Sequence, residues 1–384
     1  MDRPRTMWSS KRSAATVHIR RLCTLGLPME GIVPALMRTL CREAHCDVGV
    51  ALWFDAQGDV ANLYTQHLPS PAATAAWFRP PQEPDPRPSL PLTGPLPVHR
   101  NGPIAICADD DGEVRAGPAT TPEPFCSHRH LCSMATPSGP PLQRLCCAVL
   151  RHGAPVASLI LYRPAGAAPF SIEERTAVKA AGRYLSLNGH SLPAESSIAM
   201  YGASGEQAFL LCEPDGSVLK ASANGYELLA QASGCPVNRR TVPAELWRAG
   251  RQLIQRLLVT ESLHASHDAE TKEQPTTVIN AWGLFRLRVF FEPNGPQGVL
   301  IERVEHLLVR LVGAMRHLDL SVQQGEVLLL LAQGLSHELI AERMHVSPNT
   351  ADYHIRQLYA KLGAHTRNEA IGSVLGALET AQAT

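Results

Sequence analysis

Two groups of side chains carry the types and spacing that chemistry needs. Cys126, His128, His130 and Cys132 are all good ligands for zinc or another soft cation. In a strand they would line one face roughly 6.6 Å apart, too far for one tetrahedral centre, so only an irregular loop could gather them. They read as ordinary cysteines and solvated histidines, with a metal or redox centre as the alternative. The second group is Asp352, Tyr353 and Arg356, which share a helical face with Ala360. Opposite them Ala351, Ile355, Leu358 and Leu362 fall at i, i+4, i+7 and i+11, the spacing of a face that packs. A carboxylate, a phenol and a guanidinium turned outward from such a helix hydrogen-bond whatever lies against it. No nucleophile triad, phosphate-binding glycine loop or paired-carboxylate motif accompanies either group, so the chain reads as no enzyme and needs no cofactor.

The elements that must hold the second group run from Ser321 to Leu378 as four short helices. Ser321 and Gln324 have the capping-box spacing, and Val327, Leu328, Leu331 and Ala332 follow at helical intervals. Gly334 supplies a left-handed stop and Ser336 the next cap, ahead of Leu339, Ile340 and Met344. Ser347 and Pro348 open the third helix, Gly363 ends it, and Thr366 with Glu369 starts a fourth through Ile371, Val374, Leu375 and Leu378. Two helices joined by a tight turn, the second with its polar face outward, follow the helix-turn-helix plan for a DNA major groove.

Glu326, Val327, Leu331, Ala332, Gly334, Ile340, Ala341, Ser347, Pro348, Asn349, Thr350, His354, Tyr359, Lys361, Leu362 and Gly363 together resemble the LuxR-type (FixJ/NarL-type) domain of bacterial transcriptional regulators. The resemblance implies a four-helix module that sets its third helix in the major groove of promoter DNA and often dimerises through its fourth. It implies that Thr350 and Lys361 hold phosphates and that Asp352, Tyr353 and Arg356 face bases, with Ser347 and Asn349 beside them at the DNA. Asp352 stands where the family often has Lys; a carboxylate there repels phosphate but can accept from cytosine N4. Gly325 replaces a common helix former and is expected to weaken the first helix by about 1 kcal/mol relative to Ala. From Asp319 to Leu378 four bases (Arg343, Arg356, Lys361, Arg367) face six acids (Asp319, Glu326, Glu338, Glu342, Asp352, Glu369), so a monomer should bind DNA weakly. The competing reading is an adaptor whose helical module grips a partner regulator or RNA polymerase in place of DNA.

Over the whole chain of 384 residues the formal net charge is zero, so any DNA contact must come from a local patch. No run of about twenty apolar residues appears, which argues against a membrane span. No secretory signal opens the sequence, and a cytoplasmic setting with ten mostly reduced cysteines is expected.

The expected organisation is multidomain: α+β sensory domains, then an all-α module. A basic, disordered arm covers 1–16. Residues 17–190 hold a helical segment interrupted at Pro28 and Pro34, strands at 47–54 and 60–65, and a Pro-rich insertion at 69–141 with ten prolines from Pro69 to Pro97. A hairpin about Arg151, His152 and Gly153 follows, then a helix capped by Ser171 and Glu174. That order, with the phrase Pro169 to Glu174, resembles a GAF domain, a small-molecule or signalling module. After a linker at 191–205, residues 206–304 give a hairpin about Asp215 and Gly216, helices, and two closing strands, an order that resembles a PAS domain. A connector helix is expected at 305–318, on an apolar run of Val304, Leu308, Leu311, Met315 and Leu318 at spacings of four and three, open to packing on its own domain or to a dimer stalk. The helix-turn-helix module fills 319–384. Partners expected on this reading are promoter DNA, a second copy of the chain, an unknown small-molecule ligand and RNA polymerase. Trp53, Tyr162, Trp282 and Phe285 are either core or pocket lining.

Overall fold

The computed structural model describes residues 6–56, 58, 60–66, 115–118, 142–164, 166–187, 201–238, 244–265, 275–290 and 295–383. Helices α1 (Thr6–Cys23) and α2 (Met29–Glu43) precede strands β1 (Val48–Phe54), β2 (Val60–Thr65), β3 (Arg115–Pro118), β4 (Leu142–Arg151) and β5 (Ala154–Pro164), and α3 (Ile172–Leu187) closes the unit. The strands form one antiparallel sheet in the order β2-β1-β5-β4-β3. β5 is central and accordingly reads as a nearly unbroken buried run. His152 and Gly153 both take positive φ, the backbone that a two-residue hairpin turn requires. Ser171 and Glu174 exchange the two bonds of a capping box at 3.2 and 2.7 Å.

The second unit holds β6 (Tyr201–Cys212), β7 (Val218–Ala221), α4 (Gly225–Ser233), α5 (Ala244–Ala265), β8 (Thr276–Asn280), β9 (Gly283–Phe290) and β10 (Gln297–His306). Its sheet order, β7-β6-β10-β9-β8, repeats the first: each edge hairpin is followed by strands that fold back to place the last strand beside the first. The two units are seamed together. Trp53 and Trp282 meet edge to face at 5.8 Å, and the Val237 and Asn238 amides donate to Asn62 Oδ1 and the Ala61 carbonyl at 3.0 and 2.9 Å. Tyr162, Phe285, Trp53 and Trp282 are all buried, which places these aromatics in the core.

The chain then runs through α6 (Leu307–Ala314) and a 3-10 turn at Met315–His317 into four helices: α7 (Val322–Ala332), α8 (His337–Met344), α9 (Pro348–Leu362) and α10 (Arg367–Ala383).

Several expectations need correction. The basic arm at 1–16 is helical from Thr6, because no breaker separates Thr6 from the buried Ile19 and Leu22 that anchor the same helix. Pro34 lies inside α2, where its ring is buried, so the interruption falls at Pro28 alone. Within the Pro-rich insertion at 69–141, Arg115–Pro118 is a strand, held by backbone pairing to β4 (Ala116 opposite Leu145), which needs no apolar alternation. The linker at 191–205 ends early, since β6 begins at Tyr201 and pairs with His306. That same pairing keeps Val304 extended in β10, so the connector helix starts at Leu307 and its last turn is 3-10. Leu308, Leu311 and Met315 are buried within the chain, which leaves them unavailable as a dimer stalk in this state. No described helix is long and apolar enough to cross a membrane.

Candidate nucleic-acid interface

The four carboxy-terminal helices are set by their caps. Ser321 accepts from the Gln324 amide at 3.1 Å while the Gln324 side chain accepts from the Ser321 amide at 2.9 Å. Ser336 caps α8 and Ser347 caps α9 with Pro348 in the first turn; Gly334 and Gly363 take the left-handed backbone after α7 and α9. The turn between α8 and α9 passes through His345, a non-glycine residue at φ 54°. At α10, Thr366 accepts from the Glu369 amide at 3.2 Å, but Glu369 reaches back to the His365 amide, one residue earlier than a capping box prescribes.

These caps fix the rotation of α9. Ala351, Ile355 and Leu358 are fully buried and Leu362 partly so, against α7, α8 and α10. The opposite side presents Tyr353, 55 % exposed, with Asp352 half-exposed and Arg356 exposed. Ser347, Asn349 and Thr350 are exposed at the amino end of the same helix. Asp352, Tyr353 and Arg356 therefore share one outward face, with Ser347, Asn349 and Thr350 exposed at its amino end. Lys361 stands apart, eleven positions beyond Thr350, which is about 16 Å along the axis.

Several of these groups have partners that the sequence did not announce. His337 Nδ1 lies 2.9 Å from the Asp352 carboxylate, across the α8–α9 turn. Ser347 and Thr350 hydroxyls meet at 2.8 Å, and Arg356 Nε donates to the Asp352 carbonyl at 3.3 Å. Lys361 donates to the Asp319 carbonyl and lies 3.6 Å from its carboxylate, so it is folded back on the start of the module. Arg367 donates to the Leu335 carbonyl at 2.8 Å, tying α10 to the α7–α8 turn. The contacts within α9 follow helical spacing, but no spacing signal could have revealed those of His337, Lys361 and Arg367, because each of these joins different elements.

The module is docked on the rest of the chain. Arg21 of α1 donates to the Ser321 and Val322 carbonyls, both at 3.3 Å, and to Met315 sulfur at 3.4 Å. Its guanidinium occupies the space that a side chain at position 325 would fill, which gives Gly325 a packing reason in place of the helix penalty expected from sequence. α10 lies on α6 and the 3-10 turn as well as on α7 and α9, with Ala370 and Val374 buried and Ile371, Leu375 and Leu378 partly covered.

Cys126, His128, His130 and Cys132 lie outside the described residues. Among the described residues no group of three or more His, Cys, Asp or Glu side chains converges as a metal site. Burial raises the thiols of Cys23, Cys41, Cys46, Cys147 and Cys212, which makes them poor nucleophiles.

Among known families, "Bacterial regulatory proteins, luxR family" matches residues 318–374. No curated protein sequence matches the chain. Among solved structures, the VqmA–ligand–DNA complex of Vibrio cholerae is 18 % identical over 45 % of this chain and 83 % of that one, with a TM-score of 0.21. The VqmA dimer of the same organism without target DNA is likewise 18 % identical, over 45 % and 84 %, at 0.16. The E. coli DhaR(N)–DhaL complex is 11 % identical over 78 % of this chain and 91 % of that one, at 0.19. At such TM-scores the likenesses do not bear on this chain's fold. The capped helices, the turn between α8 and α9 and the family match agree: residues 318–374 are a LuxR-family helix-turn-helix domain, the DNA-binding part of a multidomain transcriptional regulator whose amino-terminal part is rich in sheet.

Proposed function

We propose that the sheet-rich half senses a signal and passes it to promoter binding by α9. In this reading α9 enters the major groove, with Arg356, Tyr353 and Asp352 at base edges and Ser347, Asn349, Thr350 and Lys361 on the backbone. The carrying observation is the ridge itself: a polar face left open on a helix whose other face packs on its neighbours and whose amino end is fixed by a cap. The shared strand order of the two sheets supports reading them as GAF-like and PAS-like sensory modules, and a small-molecule signal fits such modules. Lys361 must leave Asp319 to reach a phosphate, and α10 must leave α6 for its apolar side to serve a homodimer. Binding is therefore coupled to undocking of the module.

The excess of acids in the module favours a second reading, an adaptor that grips a partner regulator or RNA polymerase. The salt dependence of DNA binding by the full chain separates them. Phosphate contacts require affinity to fall steeply as salt rises. Binding that ignores salt, or none, favours the adaptor.

A further inference from the structure

A cavity of about 410 Å³ lies where the three parts of the chain meet, between α1 and α2 on one side and β6, β10 and α6 on the other. Leu378 of α10 forms part of its wall. This volume falls in the range of about 300–1,000 Å³ that small-molecule sites occupy. A Cβ built on Gly313, which also lines it, meets nothing within 4 Å, as expected of a residue facing open space.

The Arg42 guanidinium on the cavity wall has no close carboxylate partner. Arg38 is shared by Glu206 and by Glu305 at 2.9 Å, and Glu206 also accepts from the buried Arg303 at 2.9 Å. Arg316 takes Glu43 at 2.7 Å, which leaves Arg42 only a 4.0 Å approach to that same carboxylate. Glu43, Glu206 and Glu305 are thus taken by Arg316, Arg38 and Arg303, which leaves the Arg42 guanidinium, on the cavity wall, with no carboxylate nearer than 4.0 Å among the described residues. The buried His18, 3.3 Å from the Thr39 hydroxyl, adds no charge: burial, and then the charge of Arg42, pull it down to about 4. Leu22, Val309 and Leu378 supply apolar wall beside this polar end.

We propose that this three-way cavity binds a small organic carboxylate, its anion held by Arg42 and its apolar tail lying along Val309 and Leu378. The tail then touches the DNA-binding domain directly, so occupancy changes how firmly α10 sits on α6. This last step rests on the regulatory reading above; the binding itself does not.

The test is calorimetric titration of the full chain with octanoate, with octylammonium as the charge-reversed probe of the same length. Octanoate is expected to bind one to one and octylammonium not to bind. Arg42→Ala, which removes an exposed side chain with no close ion pair, should weaken octanoate about tenfold or more. Gly313→Leu should abolish binding by filling the void while keeping every charge. Absence of octanoate binding to the parent, equal affinity in both variants, or equal binding of octylammonium overturns the proposal. No arm of this experiment contains DNA, so its failure is distinct from a failure of the promoter-binding reading, which the salt series tests.

Discussion

Arg21 and Val322 lie 301 positions apart in sequence and are joined by a 3.3 Å hydrogen bond from guanidinium to carbonyl. The contact sits on the first turn of the DNA-binding domain and directly over Gly325. It is one of the places where the sheet-rich half physically holds the helix-turn-helix domain.

Gly325→Ala therefore has a sign that sequence logic gets wrong. Helix propensity alone predicts a gain of about 1 kcal/mol. A methyl group at 325 instead displaces the Arg21 guanidinium, whose hydrogen bonds are worth about 1–3 kcal/mol, so the parent should lose stability. In the Arg21→Ala background the same change should become stabilising by about 1 kcal/mol. Denaturant unfolding of the four chains of this cycle measures both signs.

Arg356→Ala should cost about 1–3 kcal/mol on a specific site and relax sequence preference there. Fluorescence anisotropy on a selected duplex reads the first effect, and repeating it on single-base variants reads the second. Unchanged affinity would reassign the reading face.

The His337–Asp352 pair predicts opposite effects from its two ends. Both groups are about half-exposed, so the pair adds little stability, about 0–1 kcal/mol. Its consequence is electrostatic: His337→Ala leaves the Asp352 carboxylate facing phosphate and should weaken binding to non-specific duplex. Asp352→Ala should strengthen it, and the double variant should follow Asp352→Ala.

Glu227 predicts a pH dependence of stability. It is buried beside a void of about 10 Å³ shared with Tyr64, Gln231 and Trp282, which is room for about one water. Burial pushes its carboxyl up to about 8, against the opposing charges of Arg303 and Arg38 and the Gln231 amide. A raised carboxyl pKa favours the fold below the ordinary value, and that contribution is lost as pH rises through the folded one. His18 and His306, both pulled down to about 4, act oppositely, but only below their ordinary value of 6.5. Between pH 6.5 and 8 the slope then belongs to Glu227 among these three groups, at most about 1.4 kcal/mol per unit. Urea unfolding across that window should show stability falling with pH in the parent and a flatter profile in Glu227→Gln.

What the sequence made legible was local. Ser321, Ser336 and Ser347 act through the next three residues, so their caps follow from spacing, and the same holds for the turn at His152 and Gly153. The buried side of α9 follows from its helical period. What stayed hidden was non-local: the docking of Arg21, the return of Lys361 to Asp319 and the His337–Asp352 pair each depend on where separate elements come to rest. Boundaries failed for the same reason. Val304 fits a helical repeat as well as a strand, and its pairing with Ala203 and Leu284 decides the matter.

The central claim is that the outward ridge of α9 reads DNA. Selection of bound duplexes from a random pool by the full chain tests it most directly, with Arg356→Ala run in parallel. The account predicts an enriched sequence for the parent that degrades in the variant at the position Arg356 contacts. A parent that enriches no sequence would contradict it.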